Sequence, residues 1–224
     1  MKYNCVIFDL DGTLVDTIGD IAGSMNKSLV FYGFPPVPVD RYPAMVGWGI
    51  KKLARLALAE SVTEAEAEKN AEKVAAAAAR FYGEAPLVHS KPYPGIPETV
   101  AELARKKVSM AVISNKPDTT ARLVVEGLFP GHPFHAIRGE IPGFPRKPDP
   151  AAVWELLVQM DRTPRETVFT GDSEIDMETA RRAGCFALGV SWGYRPRHLI
   201  EQAGAGLIID DPGEIPALIR DTRI

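Results

Sequence analysis

The stretch CVIFDLDGT at positions 5–13 decides how the rest of the chain is interpreted. Its first four residues form an apolar run without alternation, which is typical of a strand covered on both faces of a parallel sheet. Asp9 and Asp11 follow directly, and the alternation of side chains along a strand places both on one side of the chain. Open α/β sheets build their sites at this carboxyl end of a strand. Because two carboxylates so close together repel each other, we expect a cation or a shared proton there.

Further strands and helices alternate along the chain after position 91. Apolar, β-branched runs occur at residues 108–113, 135–137, 167–169 and 186–190, with a possible sixth strand at 207–209. Helical patterns lie between them, at residues 96–107, 118–126, 150–160 and 174–183. Such alternation predicts βαβ units with right-handed crossovers. We therefore expect an α/β fold, a doubly wound parallel sheet of the Rossmann-like type, although no GxGxxG loop follows the first strand.

Residues 16–83 differ in kind, because they show three helical patterns and no convincing strand. These patterns cover residues 16–32, 40–60 and 63–82, and the third opens with a capping box of Thr63 and Glu66. A helical block between the first and second strands predicts an inserted α-helical cap domain at 16–83. The core would then be formed by residues 1–15 and 84–224, with the KPYPG segment at 91–95 as the return hinge.

Polar residues follow several of the other predicted strands. Ser114 and Asn115 end the second strand before a helix, where a hydroxyl and free backbone N–H groups form a natural seat for phosphate. Lys147 precedes a third helix, and Asp172 and Asp176 follow the strand at 167–169, one helical turn apart. Each of these features has an ordinary structural explanation by itself. Their coincidence at the same end of successive parallel strands indicates a functional site.

Four motifs in this order resemble the signature motifs of the haloacid dehalogenase (HAD) superfamily. They are DLDGTLVDT, ISN, the lysine of RKPDP, and GDSEID, and the helical insert is similar to the small α-helical cap of that family. Within the superfamily, DGTLVDT, VGWG at 46–49 and KPYPGI at 91–96 resemble the phosphoglycolate phosphatase and pyrophosphatase group. The resemblance implies a Mg²⁺-dependent phosphatase acting on small phosphate monoesters, with phosphoglycolate as the first substrate expected.

The resemblance also implies roles for individual residues. Asp9 would be the nucleophile that becomes a transient aspartyl-phosphate, since a carboxylate is ionised at neutral pH and needs no activating base. Asp11 would act as general acid and then as general base. Mg²⁺, which prefers oxygen ligands, would be held by the side chains of Asp9 and Asp172 and by the backbone carbonyl of Asp11. The remaining expected roles are phosphate binding by Ser114, Asn115 and Lys147, orientation of the site by Asp176 and Thr13, and substrate choice by Trp48 and Lys51 in the cap.

Several alternatives remain open at this point. A hexose-phosphate mutase or a pyrophosphatase of the same superfamily shares nearly every core residue. A dehalogenase is not expected to keep Asp11, and a phosphonate hydrolase typically carries Ala there and uses a cap lysine. A receiver-type phospho-acceptor signalling domain also combines acids, a hydroxyl and a lysine with Mg²⁺. It is disfavoured, because receivers place the acceptor after a middle strand and lack a helical insert after the first.

Composition limits the partners that the protein can have. The 224 residues carry a formal net charge of −3 without a long basic run, so a nucleic-acid-binding surface is not expected. No stretch approaches the roughly 18 apolar residues of a membrane span, and the N-terminus does not resemble a signal peptide. We therefore expect a cytoplasmic monomer or homodimer whose partner is a small phosphorylated metabolite.

Overall fold

The computed structural model describes residues 3–219, which form strands and helices in alternation. In chain order the strands are β1 (Cys5–Phe8), β2 (Val15–Asp16), β3 (Lys91–Pro92), β4 (Ser109–Pro117), β5 (Ala136–Glu140), β6 (Thr167–Gly171), β7 (Phe186–Val190) and β8 (Leu207–Ile209). The α-helices are α1 (Ile18–Phe31), α2 (Ile50–Ala59), α3 (Glu64–Glu84), α4 (Ile96–Arg105), α5 (Asp118–Leu128), α6 (Ala151–Gln159), α7 (Glu174–Ala183) and α8 (Arg197–Gln202). Short 3₁₀ helices occur at Val39–Ala44, Pro164–Glu166 and Pro212–Leu218.

Six of the strands form one parallel sheet in the order β5-β4-β1-β6-β7-β8. The chain winds outward from β1 in both directions, since β4 pairs with one edge of β1 and β6 with the other. The expected α/β fold, a doubly wound parallel sheet, is therefore confirmed, including the sixth strand. The carboxyl ends of β1, β4 and β6 lie side by side, at the point where the strand order reverses and where such sheets bind ligands.

The strands lack alternation because both faces of the sheet are covered. Val6 and Phe8 point into an apolar cluster shared with α4 and α5, while Cys5 and Ile7 point into a second cluster shared with α6, α7 and α8. All four side chains of β1 are fully buried. Each strand residue therefore gains apolar burial whichever way it faces, and a continuous apolar run is the result.

The helical insert follows β2 and differs in one respect from the sequence expectation. Helix α3 packs against both α1 and α2, and the Thr63 hydroxyl accepts a hydrogen bond of 3.4 Å from the Glu66 backbone N–H, as expected of an N-cap. The helix predicted at 40–60 is wrong as a single element: a 3₁₀ helix is followed by a loop, residues 45–49, before α2 begins. Gly47 and Gly49 adopt φ of +107° and +85°, which a continuous α-helix excludes.

Two very short strands connect the insert to the rest of the chain, and the sequence analysis anticipated neither. Val15 pairs with Pro92 and Asp16 with Lys91 in an antiparallel ladder. The Tyr93 backbone N–H continues it with a 3.1 Å bond to the Leu14 carbonyl. The chain therefore enters and leaves the helical insert through paired, adjacent segments. Over residues 3–219, the helices are all too short or too polar to span a membrane.

Candidate active site

Three carboxylates meet where the parallel strands end. Asp9 directly follows β1, Asp172 directly follows β6, and Asp176 lies in the first turn of α7. The Asp9 backbone N–H bonds to the Thr170 carbonyl at 2.9 Å, which holds the ends of β1 and β6 together. Each acid is buried, and one oxygen from each lies within 4.8 Å of the others. The three acids form a compact cluster, which we call the acidic cluster.

Lys147 supplies positive charge directly to this acidic cluster. Its Nζ lies 2.7 Å from Asp9 Oδ1 and 2.7 Å from Asp176 Oδ1, and the side chain is 4% exposed. The second oxygen of Asp176 is held by the backbone N–H and the hydroxyl of Ser173. One ammonium cannot neutralise three buried carboxylates, so the acidic cluster is short of positive charge.

Burial and the neighbouring charges raise the pKa of two of these carboxyl groups. Burial raises the pKa of Asp172 to about 7, and the neighbouring charge of Asp176 adds to the effect. Burial and the Asp176 charge also raise the pKa of Asp9, against the opposing pull of Lys147. Clustered carboxylate oxygens that lack positive charge are a donor set that fits a hard divalent cation.

Asp172 is fixed in place by the loop that follows Asp9. The Thr13 hydroxyl donates to Asp172 Oδ1 at 3.2 Å, and the Tyr194 backbone N–H donates to Oδ2 at 2.7 Å. Gly12 adopts φ of +87°, and a Cβ atom there would lie 2.4 Å from Asp172 Oδ2. The glycine of the DxDGT motif is therefore required both for the backbone conformation and for the close approach of the carboxylate.

Asp11 belongs to a separate polar group beside the acidic cluster. Lys116 Nζ lies 3.0 Å and 3.2 Å from its two carboxylate oxygens, and the Thr17 hydroxyl donates to Oδ1 at 2.6 Å. The same ammonium lies 4.2 Å from the centroid of the Tyr82 ring. Although burial opposes its charged form, the Asp11 carboxylate and Tyr82 raise the pKa of Lys116 above its ordinary value. This ion pair fixes the orientation of Asp11.

The sequence analysis missed Lys116, although it directly follows Ser114 and Asn115, which were singled out. The sequence itself contained this signal, because a lysine within an expected phosphate-binding segment is the most direct source of positive charge for the phosphate. Ser114 itself is buried, and its Oγ accepts the Lys116 backbone N–H at 3.2 Å. This contact does not use the hydroxyl hydrogen, which remains available to donate.

Asn115 makes contacts other than those expected of a phosphate ligand. Its Nδ2 donates to the Gly47 carbonyl at 2.9 Å and to the Lys147 carbonyl at 3.0 Å, and its Oδ1 accepts the Lys147 backbone N–H at 3.0 Å. Both hydrogens of the carboxamide are thus used, and the side chain has none left for a phosphoryl oxygen. Instead it positions Lys147 and attaches the 45–49 loop of the insert to the sheet.

Arg195 makes a second connection between the insert and the sheet. Its Nη2 donates to the Val46 carbonyl at 2.8 Å, its Nη1 contacts the Pro43 carbonyl, and its Nε lies 3.2 Å from Glu174 Oε2. The guanidinium is 7% exposed. Because the preceding residue, Tyr194, donates to Asp172, the loop after β7 contacts both the acidic cluster and the insert. Sequence reasoning did not single out this arginine, since its carbonyl partners in the insert lie about 150 positions away.

A cavity lies between the helical insert and the ends of the strands. The sheet side contributes Asp9, Asp11, Ser114, Asn115, Lys116, Lys147, Asp172 and Arg195, and the insert contributes Ile21, Ser24, Met25, Val46, Gly47, Gly49, Ile50, Leu53, Ala79 and Tyr82. The structure does not bring the expected specificity residues Trp48 and Lys51 into this lining. Lys51 Nζ pairs with Glu72 Oε2 at 2.8 Å on the exposed side of the insert, and Trp48 is 37% exposed.

Comparison with known proteins gives a consistent result. A family model described as haloacid dehalogenase-like hydrolase matches residues 6–190, which run from β1 to β7 and include the acidic cluster, Asp11, Ser114, Lys116 and Lys147. The phosphoglycolate phosphatase of Pseudomonas putida is 33% identical over 207 residues, 92% of this chain and 76% of that protein. That of Pasteurella multocida is 30% identical over 223 residues, 97% of this chain and 99% of that protein. A solved structure of a predicted phosphoglycolate phosphatase from Haemophilus somnus, 28% identical, has a TM-score of 0.88 and covers 97% of this chain and 98% of that one. The chain therefore belongs to the haloacid dehalogenase-like hydrolase family, in which it is similar to phosphoglycolate phosphatases.

Proposed function

We propose that this haloacid dehalogenase-like phosphatase hydrolyses a small phosphate monoester by transferring the phosphoryl group to Asp9. The observation that carries the proposal is the position of Asp9. It lies at the end of the central strand, lines the cavity, and is in contact with a buried lysine. A carboxylate so placed can attack phosphorus without a base, and the resulting acyl phosphate is opened by water.

The reaction has two steps, and the residues around Asp9 supply what each step needs. In the first, an Asp9 oxygen bonds to phosphorus while the ester oxygen leaves, and Asp11 gives that oxygen a proton. In the second, water attacks the phosphorus of the aspartyl-phosphate, Asp11 takes a proton from it, and the Asp9 carboxylate is regenerated. The contact of Asp11 with Lys116 holds the Asp11 side chain in one orientation for both steps.

Ser114 and Lys147 are proposed to hold the phosphoryl oxygens, because both line the cavity next to Asp9. A Mg²⁺ ion would be held by Asp9, Asp172 and the backbone carbonyl of Asp11. It would supply positive charge to the phosphate and the acidic cluster. Asp176 and Thr13 would position these groups through Lys147 and Asp172, with which they share hydrogen bonds.

The proposal divides the chain into a catalytic core, residues 1–15 and 84–224, and an α-helical cap, residues 16–83. The cap would cover the cavity and exclude water during phosphoryl transfer. Trp48 and Lys51 would influence substrate choice through the shape of the 45–49 loop and the start of α2. We further propose that the enzyme works in the cytoplasm as a monomer or homodimer. Phosphoglycolate is the first ester to be assayed, because similar relatives are named phosphoglycolate phosphatases.

Release of inorganic phosphate from a panel of small phosphate esters tests this function. The panel is assayed with Mg²⁺ and with excess chelator, using the wild type and Asp9→Asn. We expect Mg²⁺-dependent release by the wild type, and loss of turnover in a variant whose circular dichroism is unchanged. Full activity in chelator would refute the metal requirement, and an active Asp9→Asn would refute the nucleophile.

A further inference from the structure

We propose that the preferred substrate carries an uncharged, apolar organic group, so that phosphoglycolate, with its second anion, is a poor substrate. The inference rests on the proposed function, because it places the phosphoryl group at Asp9 and the rest of the substrate against the insert. It narrows that function to one chemical class of ester. Two features of the cavity carry it: the composition of the wall opposite Asp9 and the balance of charge around it.

The wall formed by the helical insert is apolar. Residues of α1, α2, α3 and the loop before α2 contribute the side chains of Ile21, Met25, Val46, Ile50, Leu53 and Ala79, with Ser24 and Tyr82 as the polar members. Among the residues that the structure describes, none that the insert contributes to the lining is a lysine, arginine or histidine. An alkyl or aryl group would exchange water for apolar contact on this wall, which is favourable.

The cations of the lining all come from the sheet side, and each already has a partner. Lys147 contacts Asp9 and Asp176, and Lys116 contacts Asp11. Arg195 is engaged by backbone carbonyls of the insert and by Glu174. Lys51, in the first turn of α2, is paired with Glu72 outside the cavity.

The charged side chains that line the cavity offset one another, so a further anion would have no positively charged partner. The lining contains three carboxylates, of Asp9, Asp11 and Asp172, and three cations. A phosphate monoester carries nearly two negative charges at neutral pH, which a divalent cation offsets. A substrate carboxylate would lose its hydration against aliphatic side chains without gaining an ion pair. That exchange is unfavourable for a charged group.

The comparison that tests this uses two esters of nearly the same shape. Isobutyl phosphate replaces the carboxylate oxygens of phosphoglycolate with methyl groups. We expect kcat/KM to be at least about tenfold higher for isobutyl phosphate, since burial of an unpaired charge is costly. Along a series of linear alkyl phosphates, kcat/KM should rise about fourfold per added methylene until the cavity is filled.

A binding measurement gives the same comparison without turnover. Isothermal titration of the Mg²⁺-loaded protein with 3-methylbutylphosphonate and with 3-phosphonopropionate compares the two end groups on a non-hydrolysable linkage. Tighter binding of the alkyl compound is expected. Equal or tighter binding of 3-phosphonopropionate, or an equal or higher kcat/KM for phosphoglycolate, overturns the inference and leaves the phosphatase function standing. Failure to release phosphate from any ester, with no phosphonate bound, refutes the proposed function itself.

A cation added to the wall should weaken the preference for the apolar ester. Ser24 lies on α1, lines the cavity and is half-buried, so that Ser24→Lys can be accommodated. Val30→Lys is the matched control, because Val30 lies on the same helix and is 59% exposed. We expect Ser24→Lys to raise the ratio of kcat/KM for phosphoglycolate over isobutyl phosphate at least about tenfold, and Val30→Lys to leave it unchanged. A ratio that is unchanged in both variants contradicts the charge-balance reasoning.

Discussion

Binding of Mg²⁺ should stabilise the fold, and the gain should increase as the pH rises from about 5.5 to about 8. Burial raises the pKa of Asp172 to about 7, so at lower pH a proton competes with the cation for this carboxylate. In the unfolded chain an aspartate titrates near about 3.9. Between these values the folded, metal-free protein binds more protons than the unfolded chain, and its stability therefore falls as the pH rises. Bound Mg²⁺ should remove this loss of stability.

The magnitude follows from competition with one proton. Below a pKa of about 7 the apparent affinity for the cation changes about tenfold per pH unit. From about pH 5.5 to about pH 8 the ionised fraction of this carboxyl rises about 30-fold, which amounts to about 2 kcal/mol of additional stabilisation at saturating Mg²⁺. For a chain of this length, about 2 kcal/mol corresponds to a rise in Tm of roughly 4–8 °C.

Thermal unfolding with and without about 10 mM Mg²⁺, at about pH 5.5 and at about pH 8, measures this pH-dependent stabilisation directly. Asp172→Asn keeps the shape of the side chain and should abolish most of the Mg²⁺-dependent rise. Glu178→Gln, which removes an acid of α7 that pairs with Arg181 and Arg182, should retain it. A rise in Tm that is equal at both pH values, or that survives in Asp172→Asn, would refute this description of the acidic cluster.

Four further substitutions, one of them with a matched control, test residues of the sheet side and of the insert. Lys116→Met removes the partner of Asp11 and should lower kcat by about 10- to 100-fold at unchanged Tm in Mg²⁺, and an unchanged kcat would exclude a positioning role. Arg195→Ala should raise KM and speed proteolysis of the 45–49 loop, because it removes a contact to the insert. The control Arg197→Ala, at a more exposed position nearby, should do neither. Equal effects of the two variants would contradict a role for the Arg195 contact. Trp48→Ala and Lys51→Ala should change kcat/KM unequally across esters, with a small aryl phosphate least affected, and uniform slowing would exclude both from substrate choice.

The elements that follow from short-range rules could be predicted from the sequence. The strand at 5–8 was placed correctly, because a central parallel strand shows its burial in every residue. The edge strand at 207–209 was placed correctly from its short apolar run. The helix at 174–183 was also placed correctly, since Ser173 caps it and Gly184 ends it. Ser173 and Asp176 close a reciprocal capping box, which ties the helix start to the acidic cluster.

The elements that depend on distant contacts could not be predicted. The ladder of β2 and β3 has two residues per strand, too few for any periodicity, and its partners are more than 70 positions apart. The break near Gly47 lies close to Ile175 and Arg195, and the local pattern does not show this proximity. Arg195 was missed for the same reason, because its carbonyl partners in the insert lie about 150 positions away. Lys116 was missed although its place beside Ser114 and Asn115 was a local signal.

The identity of the phosphorylated residue tests the central claim most directly. Asp11→Asn should slow hydrolysis of the intermediate, so this variant is mixed with a labelled phosphate ester and Mg²⁺, quenched in acid and digested for mass spectrometry. The account predicts label on the peptide that contains Asp9, and none when Asp9→Asn is added. Label on Ser114, Ser173 or a histidine, or turnover without any phosphorylated protein in a rapid quench of the wild type, would contradict it.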